Sequence, residues 1–127
     1  MARKPQLYWR NKADKEVSKY YRGLPCKVCG STYMTCGHHI VHRSVAYYRH
    51  HPSNLIPLCP KHHKFSNELA AHSSNPLAVQ AFLDWLKEHY VVGYECLLDY
   101  KKHLGEKVDY EQQYLEWREI NENADSV

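Results

Sequence analysis

No stretch of the chain approaches the roughly 20 consecutive apolar residues that cross a bilayer, so a membrane-spanning role is not expected. Basic residues near the start have no apolar segment behind them, which argues against a signal peptide. Methionine and phenylalanine are scarce, two of each, and the apolar content leans instead on eleven tyrosines and three tryptophans. Those rings keep a polar tip and suit half-buried surfaces and grooves as well as cores. The five cysteines are an odd count, which in a chain without an export signal argues against a disulfide framework and for a reducing compartment. The expected location is cytoplasmic: a bacterial cytoplasm or, for a viral protein, that of its host. Internal repeats and low-complexity tracts are both lacking.

Charge of one sign is also in short supply. A net charge of +3 over 127 residues does not by itself argue for nucleic acid. Its distribution says more. Arg3, Lys4, Arg10, Lys12, Lys15, Lys19 and Arg22 face only Asp14 and Glu16 in the first stretch, whereas the chain beyond Gly105 is acidic. Such asymmetry lets one end face phosphate while the other faces away, although two solvated helix faces would carry the same charges.

The length suits a single domain, residues 1–127, with a modest core. Residues 1–23 read as a basic N-terminal helix, 24–72 as the motif-bearing core and 73–127 as a helical extension. In the first helix, over 7–21, Leu7, Val17, Tyr20 and Tyr21 form the apolar stripe, and Gly23 and Pro25 stop it. After Pro76, Leu77, Val79, Phe82, Leu83, Trp85, Leu86 and Tyr90 recur at helical spacing. A turn is expected near Gly93, then Tyr94, Leu97, Leu98 and Tyr100. Beyond Gly105, Tyr110, Tyr114, Leu115, Trp117 and Ile120 mark a last helix, and residues 121–127 read as frayed. These helices are expected to cover the core or to mediate a homo-oligomer.

Most of the chemistry lies in residues 26–67. Cys26 and Cys29, separated by two residues and followed by Gly30, make a tight turn that aims two sulfurs at one point. A redox pair would want a thioredoxin-like βαβ context, and none is apparent. A second pair, Cys59 and His62, repeats the spacing. Together they form a Cys3His set of structural-zinc type, with His63 as the alternative fourth ligand. Between the pairs, Ile40 and Val41 favour a strand. An aromatic and basic loop over 47–51 follows, then a short apolar run from Leu55 to Leu58, then a helix from Pro60 through Glu68. Strand, loop, strand and helix give an α+β class.

The C-x-x-C, the H-H-I of residues 38–40 and the N-L-I-P-L-C-P-K-H-H of residues 54–63 together resemble the His-Asn-His (HNH) endonuclease superfamily. The likeness is greatest to the compact phage and prophage type, and it covers residues 24–72, about two-fifths of the chain. The resemblance implies a ββα-metal core, stapled by zinc and surrounded by N- and C-terminal helices. Two departures stand out: the second zinc pair is Cys-His rather than Cys-Cys, and Asn67 occupies a helix position where many members carry a second histidine.

The resemblance further assigns His38 to a catalytic divalent cation (Mg, Mn, Ni or Zn), His39 to the attacking water as general base, and His63 to the cation. His38 and His39 would point to opposite sides of an extended segment. Asn67, one helical turn beyond His63, would complete or brace the cation site. By resemblance Asn54 fixes the loop between the strands and orients His39; capping a turn after Pro52 and Ser53 is its plainer use. Arg43 suits a phosphate clamp, and Arg49 and Lys64 are further DNA-binding candidates. His72 reads as a cap or spare ligand. His42, His50 and His51 either touch DNA or are solvated, and solvation is the expectation for the last two. Cys36 and Cys96 read as buried thiols. The expected partner is DNA, duplex or branched. A zinc module that binds nucleic acid without cleaving it, and a protein-interaction adaptor, are the rivals; neither requires His38, His39, Asn54 and His63 together.

Overall fold

The computed structural model describes residues 3–125. The chain runs α1 (Gln6–Tyr21), β1 (Cys36–His39), α2 (Ala46–Arg49), β2 (Leu55–Leu58), α3 (Pro76–His89), α4 (Val91–Asp99) and α5 (Tyr110–Asp125). Single helical turns at Pro52–Asn54, Lys61–Phe65 and Tyr100–His103 complete it, the middle one a wide π turn. Helices thus surround one two-stranded antiparallel sheet, an α+β arrangement. Among the described residues no helix is long and apolar enough to cross a membrane.

The sheet is short because Asn54 ends it. Cys36 pairs with Leu58, Gly37 with Pro57, His38 with Ile56 and His39 with Leu55. The Ile40 amide then bonds the Asn54 carbonyl, and at Val41 the Asn54 side chain replaces a strand neighbour. The first strand therefore lies earlier than Ile40 and Val41 suggest, since tertiary pairing overrides their propensity.

Leu55, Ile56 and Leu58 are almost wholly buried. Ile56 and Leu58 pack with Phe82 and Leu86 of α3 and with Cys26 and Cys59. On the other side, Leu55 meets Val17 and Tyr21 of α1 and Trp117 of α5. Asn75 starts α3 by accepting the Leu77 amide at 3.0 Å, with Pro76 at the first helical position.

Several expectations need correcting. The basic and acidic ends do not face apart: α1 packs along α5, Arg3 meets Glu111 at 3.7 Å and Lys19 meets Asp125 at 3.3 Å. Leu7 is exposed, and the buried stripe of α1 is Ala13, Val17 and Tyr21. The turn expected near Gly93 falls at Tyr90, between α3 and α4, and not at the glycine itself. Gly93 is buried inside α4, where a Cβ would run into Ile40 Cδ1 and the Tyr90 ring, so glycine permits close helix approach there. Residues 121–125 remain helical, because Asn121 is buried and donates to the Glu16 backbone carbonyl at 2.8 Å. Residues 126–127 lie outside the described residues.

Candidate metal centre and catalytic site

Cys26, Cys29, Cys59 and His62 converge closely enough to hold a metal ion. Tetrahedral zinc bonded at ~2.3 Å to sulfur and ~2.05 Å to nitrogen separates two sulfurs by about 3.8 Å and a sulfur from a nitrogen by about 3.6 Å. The observed Cys29–Cys59 separation is 3.7 Å, and His62 Nδ1 lies 3.5 Å from Cys59 Sγ and 3.9 Å from Cys26 Sγ. The donor set fits a structural zinc ion, and the fourth member is His62, not His63. The turn forms because the Gly30 amide reaches the Cys26 carbonyl at 2.7 Å with Gly30 at φ +80°. The Lys27 amide fastens the loop to the Pro57 carbonyl at 2.9 Å. Burial opposes ionisation of Cys26, but backbone N–H groups, that of Cys59 foremost, outweigh it and draw the thiol below its usual value.

A second cluster, His38, His63 and His72, brings three imidazole nitrogens within 4.8 Å of one another. β1 supplies His38, buried against Phe82 with ring centroids 5.8 Å apart. The π turn sends neighbouring histidines to different tasks, His62 to the zinc staple and His63 to this cluster. Short π segments recur at functional sites. His72 arrives because the chain doubles back: the Ala71 amide bonds the His62 carbonyl at 3.0 Å, and the His72 amide bonds the His63 carbonyl at 2.7 Å. Centroids of His38 lie 5.2 Å from His63 and 4.8 Å from His72. Burial, then the neighbouring histidines, lowers His38 to about 3; burial and His72 lower His63 to about 4. At neutral pH both rings are therefore uncharged, with lone pairs open to a cation.

Asn67 does not join His63 as expected. The turn ends at Phe65, Ser66 is extended (φ −68°, ψ 136°), and Asn67 is exposed, its backbone carbonyl taking a bond from Asn75. Helical alignment with His63 is lost, and His72 stands in the cluster instead. Cys36 is likewise not buried: it is exposed, with its sulfur 3.8 Å from His63 Nδ1. Cys96 is buried as expected.

His39 is not one of the clustered histidines; it lines a neighbouring cleft of about 200 Å³ together with Asp14, Cys36, Arg43, Arg49 and His50, among others. Cys36 borders both cleft and cluster. His39 Nε2 donates to the Arg49 carbonyl at 3.0 Å, which leaves Nδ1 free as a base. Burial holds the ring below the ordinary histidine value, although that carbonyl works the other way. Three successive carbonyls are held here: Tyr48 by Asn54 Nδ2 at 3.0 Å, Arg49 by His39, and His50 by Trp117 Nε1 at 2.8 Å. Fully buried Asn54 thus fastens the loop that carries the acceptor for His39.

Arg49 is not a free DNA contact. It is buried in a two-bond pair with Asp14, Nε to Oδ1 at 2.9 Å and Nη2 to Oδ2 at 2.7 Å. His50 is not solvated either, whereas His51 is half-buried. His50 is buried and donates from Nε2 to Asp14 Oδ1 at 2.6 Å, and His51 Nδ1 accepts from the Ser53 amide at 3.2 Å. His42 bonds locally with Ser44, while Arg43 and Lys64 are exposed. Burial would raise Asp14, but hydrogen bonds from His50 and Arg49 outweigh it and hold the carboxyl well below its usual value.

Asp14 is the residue of this cleft least visible in the sequence. The one signal was an acid set among lysines and arginines, and Glu16, the other, also makes a long-range contact, to Asn121. Comparison of the chain with models of known protein families, with curated proteins and with solved structures found no match.

Proposed function

We propose that this chain is a zinc-stapled, metal-dependent endonuclease of the His-Asn-His type that hydrolyses DNA phosphodiester bonds. On this reading β1, β2 and the π turn form the ββα-metal core. The observation that carries the proposal is the three-histidine cluster beside a fourth histidine, His39, whose Nδ1 is free. A structural zinc module alone needs neither feature.

A divalent ion held by His38, His63 and His72 would neutralise charge on the scissile phosphate. His39 performs the proton transfer. Its Nε2–H is committed to the Arg49 carbonyl, so Nδ1 takes the proton from an attacking water. The base is neutral, and hence competent, at pH 7 because burial keeps its affinity for protons low. Asn54 holds the loop in place. Exposed Arg43 and Lys64 supply the cationic surface for flanking phosphates.

Purified, zinc-loaded protein should nick supercoiled plasmid with Mg, Mn, Ni or Zn and not with EDTA, and a His39→Ala variant of unchanged melting temperature and zinc content should not. Nicking that survives His39→Ala would remove His39 from the mechanism. Absence of cleavage on plasmid and on branched DNA with every ion would leave the chain a binding module.

A further inference from the structure

We propose that Asp14 of α1 is a positioning residue for His39, acting through the Arg49 carbonyl that decides which nitrogen of the His39 ring carries the proton. The proposal rests on His39 being the base of the nuclease reading, but the coupling between Asp14 and the ring can be measured without it.

The acceptor for His39 is the backbone carbonyl of Arg49, at the end of the four-residue α2. So short a helix does not hold its last peptide rigid by itself. The side chains on either side of that peptide do so, and both grip one carboxylate. Asp14 Oδ1 receives Arg49 Nε at 2.9 Å and His50 Nε2 at 2.6 Å, and Oδ2 receives Arg49 Nη2 at 2.7 Å. The two donors of the clamp are shielded, the Arg49 and His50 side chains being 11% and 1% exposed, while the Asp14 side chain is 35% exposed. Gln113 of α5 closes it, with Oε1 2.7 Å from His50 Nδ1, and Trp117 takes the next carbonyl at 2.8 Å.

Both terminal helices therefore converge on the peptide that orients the candidate base. Removing the carboxylate leaves a buried guanidinium without its counter-charge. Arg49 then turns towards solvent and carries the 49–50 peptide with it. The carbonyl leaves its place opposite His39 Nε2, and the proton is free to sit on Nδ1, where it blocks the basic lone pair.

The test uses full-length, zinc-loaded wild type, Asp14→Asn and Asp14→Glu, labelled with ¹⁵N-histidine. The His39 signals are identified by their loss in His39→Gln. In the wild type His39 should be the Nε2–H tautomer, in Asp14→Asn a mixture of tautomers, and Asp14→Glu should recover much of the wild-type state. Nicking by Asp14→Asn should fall roughly ten- to a hundredfold in kcat, as for loss of groups that orient a site ligand, with KM unchanged. If Asp14→Asn does not fold, His50→Gln, which removes one of the two side chains that grip the carboxylate, should show a smaller shift towards mixed tautomers in the same signals. An unchanged Nε2–H tautomer in a folded variant overturns the proposal, whether or not kcat falls. A tautomer shift in a protein that cleaves no DNA upholds the coupling and defeats the nuclease reading instead.

Discussion

Asn54→Ala isolates a single side chain that holds two loops together. Asn54 is fully buried, accepts the Val41 amide at 2.6 Å, and donates to the carbonyls of Val41 and Tyr48 at 3.0 Å each. Alanine removes three hydrogen bonds and offers the partners nothing in return. A made bond contributes ~1 kcal/mol net, whereas a buried group left unpaired costs about 1–3 kcal/mol. The Val41 amide, the lone donor of the three, is expected near the upper figure. Water entering the space left by the amide offsets part of the remainder, so the loss is set at roughly 3–5 kcal/mol. Against a total of about 5–15 kcal/mol for a domain, that is a large share. Urea unfolding of zinc-loaded wild type and variant, followed by circular dichroism, measures it directly. The midpoint should drop steeply at unchanged slope. A loss under ~1 kcal/mol would refute the reasoning, because it would mean the three bonds contribute no more than one exposed contact.

Zinc removal should unfold the region around Cys26, Cys29, Cys59 and His62, since that set joins the first loop to the π turn; a chelated protein that keeps its melting temperature would contradict this. Gly93→Ala should destabilise by about 1–3 kcal/mol, the range for overpacking, because its Cβ meets Ile40 and Tyr90; a neutral or stabilising result in thermal melts would be the opposing outcome. Acid should weaken the protein freed of all cations but its staple zinc. Folded His38 and His63 titrate at about 3 and about 4 against 6.5 when unfolded. Below pH 6.5 the unfolded chain takes up protons that the folded one refuses, so this stability is present above 6.5 and is lost as pH falls towards about 4 for His63 and about 3 for His38. Wild type should lose melting temperature with acid more steeply than His38→Gln, which cannot be protonated in this range, and parallel curves would argue against the depressed values.

Local rules carried much of the architecture. The two ligand pairs were legible from spacing alone, since a C-x-x-C closed by Gly30 has few other uses in this context. Leu55 to Leu58 read correctly as a strand, and Asn75 with Pro76 places the start of α3 as helix-capping chemistry requires. What failed was an inference that extended a local period past its end. Asn67 was aligned with His63 by a helix that stops at Phe65.

By itself the sequence determined which residues could hold a staple, where most helices run, and that His38 and His39 point to opposite sides of a strand. Only the tertiary structure decided that His72 returns to His63, that His62 rather than His63 completes the Cys3His set, and that Arg49 and His50 turn inward. The physical reason is common to these cases. Each depends on a partner many residues away — Asp14 for Arg49, the returning backbone at Ala71 and His72 for the histidine cluster. No periodicity or spacing along the chain encodes which buried charge will find which counter-charge once the helices have packed.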